Sequence, residues 1–328
     1  MKKGHHKKGK RFVNPHIDST KRSLFDIALW QLGFYNDNAP TERPENFCYP
    51  NPKQKVRENA PKATWINHCT FLINVGDLHI LTDPIWGERC SPFSFLGPKR
   101  RHETPLALEK LPRIDLVLLS HDHYDHFCKK TLLKLQELNP GITWIVPLGV
   151  KKRLQKLGMR HIIEMEWWEE AHIGTQGEEV KITAVPTQHF SGRGVFDKNK
   201  TLWTGFVVDF LRPNKQEKRL YFVGDTGYNS KDFKEIGNHF GEMDLSLIPI
   251  GTYVPGKFMN PVHIGPEKSA AIHQEVNSRL SIGMHWKTFR LSSEHLDRPP
   301  YDLYCALEKE GIDPKTFRVL EPGQTINW

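Results

Sequence analysis

Cysteine is scarce in this chain, long apolar runs are missing, and the basic N-terminus has no hydrophobic segment behind it. The five cysteines, Cys48, Cys69, Cys90, Cys128 and Cys305, are odd in number, scattered, and form no Cys-x-x-Cys pair. That excludes a disulfide framework and makes a reducing cytoplasm the expected compartment. No stretch approaches the roughly 18–20 apolar residues that cross a bilayer. The opening MKKGHHKKGKRF is followed by no apolar core, so no signal peptide is expected. Charge is equally uneven. Residues 1–22 hold eight Lys or Arg against one Asp, which leaves the remainder nearly neutral although the whole chain carries +8. A nearly neutral body argues against specific nucleic-acid binding. The basic tail is either a solvated disordered segment or a contact for an anionic surface.

What is present is enough for a large core: 328 residues, 38% of them hydrophobic. The pattern divides the chain into three parts. Residues 1–22 read as a basic, disordered tail. Residues 23–63 read as an apolar helix, LFDIALWQLGFY at 24–35, and an irregular connector rich in Pro, Asn and charge. That helix either packs on the body or meets a membrane. Residues 64–328 read as one compact domain. Strands come first as a meander around the Gly76-Asp77 turn and later alternate with helices. That order predicts two sheets covered by outer helices.

The sequence LVLLSHDHYDHF carries the chemistry. His121, His123, Asp125 and His126 offer three imidazoles and a carboxylate within six positions, directly after a buried-strand pattern. This set suits zinc, with iron or manganese possible. Three further candidates also end strand-like runs: His189 after VKITAVPTQ, Asp225 after RLYFVG, and His285 after LSIGM. Strand ends hold side chains rigidly enough to build a metal site.

The order His-x-His-x-Asp-His, His, Asp, His resembles the metallo-β-lactamase superfamily. LTDPIW (81–86), SPFSFLGPKR (91–100), LPRIDLVLLSHDHYDH (111–126), WIVPLG (144–149), EWWEE (166–170), FVGDTGY (222–228), IPIGTY (248–253) and MHWKTF (284–289) narrow the resemblance to the N-acyl-phosphatidylethanolamine-hydrolysing phospholipase D family. It covers about residues 64–328 and implies an αββα sandwich of the α/β (α+β) class. It implies one zinc held by His121, His123 and His189, a second held by Asp125, His126 and His285, and Asp225 bridging both. Asp125 and Asp225 thereby become catalytic, around a hydroxide shared by the metals. His263, in NPVHIG, is implied near the substrate phosphate, and Tyr124 and Tyr228 flank ligands as substrate-binding candidates. Asp83 is a candidate to orient a ligand imidazole. His68 stands where related sequences carry a Gly-His pair, but here Asn67 precedes it.

The implied reaction cleaves N-acyl-phosphatidylethanolamine to N-acylethanolamine and phosphatidic acid. A phospholipid substrate implies peripheral contact with the inner membrane face through the N-terminal region, and the family implies a homodimer. Competing readings are a cytosolic lactonase or sugar-phosphate hydrolase of the ascorbate-6-phosphate lactonase type, a nuclease, and a non-enzymatic scaffold. The presence of all seven candidate ligands argues against the last.

Overall fold

The computed structural model describes residues 6–17, 42–175, 178–194, 196–212 and 215–328; the helix expected over 24–35 lies outside the described residues. A short hairpin, Lys7–Lys8 (β1) with Arg11–Phe12 (β2), precedes the body. The first sheet contains Lys62–Asn67 (β3), Thr70–Val75 (β4), Leu78–Thr82 (β5), Leu116–Leu118 (β6), Thr143–Pro147 (β7) and Ile162–Met165 (β8). The second contains Glu170–Thr175 (β9), Glu178–Val185 (β10), Gly205–Arg212 (β11), Lys215–Phe222 (β12), Leu245–Pro249 (β13), Ser281–Met284 (β14) and Phe317–Arg318 (β15). Thr325–Asn327 (β16) returns to the first sheet, beside β3. Each sheet begins as an antiparallel meander and continues in parallel, β5 to β8 in one and β12 to β15 in the other.

Alternation along the strands explains the layering. Leu116 and Leu118 of β6 face the core between the sheets, with Phe206, Phe222 and Leu247. Val117 and the following Leu119 face the opposite way, against Leu132 and Leu135 of Lys129–Leu138 (α1) and Leu154 of Lys151–Gln155 (α2). All four residues at 116–119 are fully buried. Each such side chain contributes roughly 1.5–3 kcal/mol, so the histidine loop hangs from a firmly held strand. On the far side, Ser230–Phe240 (α3), Pro266–Glu275 (α5 after the short α4, Gly256–Met259) and Pro299–Lys309 (α6) cover the second sheet through Phe233, Ile272 and Leu303. The architecture is the expected αββα sandwich.

Two local features differ from the sequence reading. Residues 6–17, expected within a disordered tail, lie against the body. Phe12 is buried with Trp167, Leu202 and Trp203, and the His6 ring lies 4.2 Å from that of Trp167. Net charge dominated the sequence reading, but one aromatic anchor decides the packing, while Lys7, Lys8 and Lys10 stay exposed. Strand β9, which includes the end of EWWEE, was not foreseen. It pairs antiparallel with β10 and closes the edge of the second sheet.

Candidate metal centre

Asp83 follows β5, His121 follows β6, His189 follows β10, Asp225 follows β12 and His285 follows β14. These are carboxyl ends at one edge of the sandwich, the place where side chains converge in such sheets. The backbone there is forced. Five of the eight described non-glycine residues with positive φ are His68, Asp83, Thr252, His285 and Lys287. Conformations of this kind cost on the order of 1–3 kcal/mol each and gather at functional sites.

The side chains form two groups. In one, the facing nitrogens of His121 and His123 are 2.8 Å apart, and His189 Nε2 is 3.2 Å from His123 Nδ1. In the other, Asp125, His126, Asp225 and His285 bring one donor atom each within 4.8 Å of one another. Asp225 Oδ2 reaches both groups: 3.0 Å from His285 Nε2, 3.2 Å from His126 Nε2 and 3.7 Å from His189 Nε2.

The nitrogens facing away from the centre are mostly held. His189 Nδ1 donates to the Val262 carbonyl at 2.7 Å, His121 Nδ1 meets Ser120 Oγ at 2.9 Å, and His285 Nδ1 meets Thr252 Oγ1 at 3.1 Å. His126 Nδ1 lies 2.7 Å from Asp83 Oδ2. Asp83 also accepts from the Ser120 amide and hydroxyl, at 2.7 and 2.5 Å. Asp83 thus holds the His126 ring and the strand end before His121 through these contacts. His68 supports Asp125: its Nε2 is 3.0 Å from Asp125 Oδ2. Burial, then the nearby His285, pushes His68 down to about 3, so a neutral ring donates to that carboxylate. Asn67 is structural, donating to the Ile85 carbonyl.

Charge divides along the same line. Burial holds His121 and His189 well below their ordinary range and lowers His123. In the second group burial opposes every charge, but the mutual pairs outweigh it. Asp225 and Asp125 hold His126 well above its usual range and raise His285 to about 9, while His126 and His285 keep both carboxyls well below theirs. The carboxylates thus demand positive charge at this point. Asp225 Oδ1 is also buried without a hydrogen-bond partner, and the close approaches of His126 Nε2 and His285 Nε2 to Asp225 Oδ2 lack hydrogen-bond geometry. A divalent cation satisfies both conditions, and imidazole and carboxylate are donors that zinc, iron and manganese accept. The cluster fits metal; uptake would displace protons from His126 and His285.

The other candidates are more peripheral. His263 Nδ1 is 3.8 Å from Asp225 Oδ2, and its side chain is 15% exposed against 0% for His285, so it stands at the solvent-facing rim. Tyr124 turns its hydroxyl to the Arg193 carbonyl, and Arg193 stacks on its ring. Tyr228 donates to Glu275 and stacks on Phe233. Its hydroxyl is therefore committed to the outer helices. Sequence reasoning missed Ser120 and Thr252, although both lie within quoted motifs. It also missed Asn14, whose amide donates to the His189 carbonyl at 2.8 Å across 175 residues, a contact no local signal reveals.

Gly224 allows Asp225 its position. Its φ is +69°, and an added Cβ would stand 2.8 Å from Ser120 Cβ and 3.1 Å from the Thr204 carbonyl. Gly224→Ala is expected to lower stability by about 2–3 kcal/mol through backbone strain and displaced Ser120, read by denaturant unfolding. A loss below ~0.5 kcal/mol would show that the turn tolerates a side chain.

A model of the beta-lactamase superfamily domain matches residues 79–286. An N-acyl-phosphatidylethanolamine-hydrolyzing phospholipase D of Caenorhabditis elegans is 37% identical over 269 residues, 80% of this chain and 74% of that protein. A metal-dependent hydrolase of Methanopyrus kandleri is 26% identical over 80% of this chain and 98% of its own length. Among solved structures, a metallo hydrolase from Ignicoccus hospitalis shares the fold with a TM-score of 0.59 at 22% identity, covering 82% of this chain and 98% of that one.

Proposed function

We propose, from the premise that the chain belongs to the N-acyl-phosphatidylethanolamine-hydrolysing phospholipase D family of the metallo-β-lactamase superfamily and is a metal-dependent hydrolase, that its substrate is an N-acyl-phosphatidylethanolamine. The bond cleaved is the one between phosphorus and the ethanolamine oxygen. Water adds its hydroxyl to phosphorus, giving phosphatidic acid, and a proton goes to the departing oxygen, giving N-acylethanolamine. The substrate rests on the likeness to the phospholipase D relative; the observation that supports a two-metal mechanism is the reach of Asp225 Oδ2 to both ligand groups, which suits a shared carboxylate. His121, His123 and His189 would hold one and Asp125, His126 and His285 the other, zinc being the ion that best suits this set. When bound, the pair supplies Lewis acidity and a water that ionises near neutral pH.

The chain's own residues do the rest. Asp83, Ser120, Thr252 and the Val262 carbonyl orient the imidazoles, so little reorganisation accompanies reaction. His68 hydrogen-bonds Asp125 and keeps it in place. His263, at the rim, is positioned to hydrogen-bond a phosphoryl oxygen or deliver the proton to the leaving oxygen. His263→Ala is expected to lower kcat by about 10²–10⁴-fold, the span of a general acid, with metal content unchanged. Unaltered kcat would remove it from the reaction.

The substrate is tested by mass spectrometry of zinc-loaded protein incubated with detergent-dispersed N-acyl-phosphatidylethanolamine. N-acylethanolamine and phosphatidic acid released in equal amounts support the proposal. Turnover of a sugar-phosphate lactone with no lipid cleavage would assign the site to the lactonase reading.

A further inference from the structure

Phe93 is 53% exposed, Phe95 77%, Leu96 60% and Phe196 83%, and these are four of the seven exposed large hydrophobics among the described residues. Three, Phe93, Phe95 and Leu96, belong to one loop, residues 91–97. Its neck is tied: the Cys90 amide donates to the Pro98 carbonyl at 3.2 Å, and Arg89 donates to the Gly97 carbonyl at 2.6 Å. Gly97 closes the turn at φ +98°. The tip is unburied, with Phe93 and Phe95 meeting only 5.7 Å apart, ring to ring. A fixed neck carrying bare aromatics presents a formed apolar surface to something outside the chain.

Behind the tip, Phe93 shares a cavity of about 510 Å³ with Tyr124, Lys129 and Lys130. Tyr124 lies beside Asp125, so the cavity borders the ligand loop. A second cavity of about 490 Å³ shares Phe127, Lys129 and Arg193 with the first and adds Lys152, Lys156 and Lys200. Arg153 there is neutralised by Asp122 and Asp197. Lys129, Lys152, Lys156 and Lys200 are exposed and, among the described residues, are in no salt bridge. The aromatic tip is thus continuous with a field of uncompensated positive charge.

We propose that this face, Phe93, Phe95 and Leu96 at the tip with Lys129, Lys152 and Lys156 beside them, docks on an anionic lipid bilayer. The charge selects the occupant. A neutral apolar partner leaves the lysines unmatched, and a nucleic acid leaves the aromatic tip without a hydrocarbon phase to enter. Aromatic burial at the headgroup boundary together with attraction to anionic lipid uses both. No helix among the described residues is long and apolar enough to cross a membrane. This inference adds a surface to the lipid reading of the active site but is tested without turnover.

The test is cosedimentation of the full-length, metal-loaded chain with phosphatidylcholine vesicles, with and without phosphatidylglycerol. The parent is expected to bind the anionic vesicles more tightly and to release with salt. Phe93→Ser/Phe95→Ser/Leu96→Ser, and separately Lys129→Glu/Lys152→Glu/Lys156→Glu, are each expected to weaken binding roughly tenfold or more, with unchanged circular dichroism and metal content. Binding that survives both variants overturns the proposal, including the case in which only changes within residues 24–35 remove it. Variants that split a dimer while leaving vesicle binding intact also overturn it, since the tip then meets a second copy. Vesicle binding without N-acylethanolamine release keeps the docking face and discards the substrate.

Discussion

Asp225→Asn is expected to lower kcat by roughly 10³-fold or more, about 4 kcal/mol of transition-state stabilisation. The replacement keeps the shape and removes the charge. In the native centre Asp225 Oδ2 lies 3.0 Å from His285 Nε2 and 3.2 Å from His126 Nε2, and 3.7 Å from His189 Nε2 in the other group. Burial works against an anion here, yet His126 and His285 keep the carboxyl well below its ordinary range. The group therefore bears full charge where two cations would need it. An amide satisfies neither half, so metal content should fall together with kcat while the fold, read by circular dichroism, remains. Activity within tenfold of the parent would mean that no shared carboxylate is needed.

Asp83→Ala is expected to act on both stability and metal. Its carboxylate is fully buried and accepts from the Ser120 amide, the Ser120 hydroxyl and His126 Nδ1. Removing it strands three donors and leaves His126 free to rotate. Losing one partner of a buried charged pair costs about 3–5 kcal/mol, and losing the support of a ligand imidazole weakens metal about 10–100-fold. Asp83→Asn is the informative companion, because its carbonyl oxygen still accepts one hydrogen bond while the charge is gone. Denaturant unfolding of metal-free protein and competitive metal titration read the two effects separately. A variant with parental stability and affinity would reduce Asp83 to a turn residue before Pro84.

Much of this was legible because the strands announce themselves. Leu116 to Leu119 alternate between two buried faces, and such a run can lie only in the middle layers of a sandwich. The ligand candidates were legible for the same reason: each stands where a strand pattern stops. Their division into two groups rested on resemblance, because spacing alone does not tell which imidazole faces which neighbour. The supports were less visible. Ser120 orients His121 from the adjacent position, yet serine before a loop is common and carries no signal of its own. Asn14 reaches the His189 carbonyl from a segment whose lysines suggested solvent. Tyr228 stands close to Asp225 in sequence but turns its hydroxyl to Glu275, beyond the bridge that Gly227 makes with Gln188.

Elemental analysis of the purified, metal-loaded chain beside His189→Ala and His285→Ala tests the two-group centre most directly. A shared-carboxylate site predicts two metals per parent chain and loss of one in each variant, from opposite halves. A parent that saturates with a single metal, or a His189→Ala variant that retains both, would contradict it.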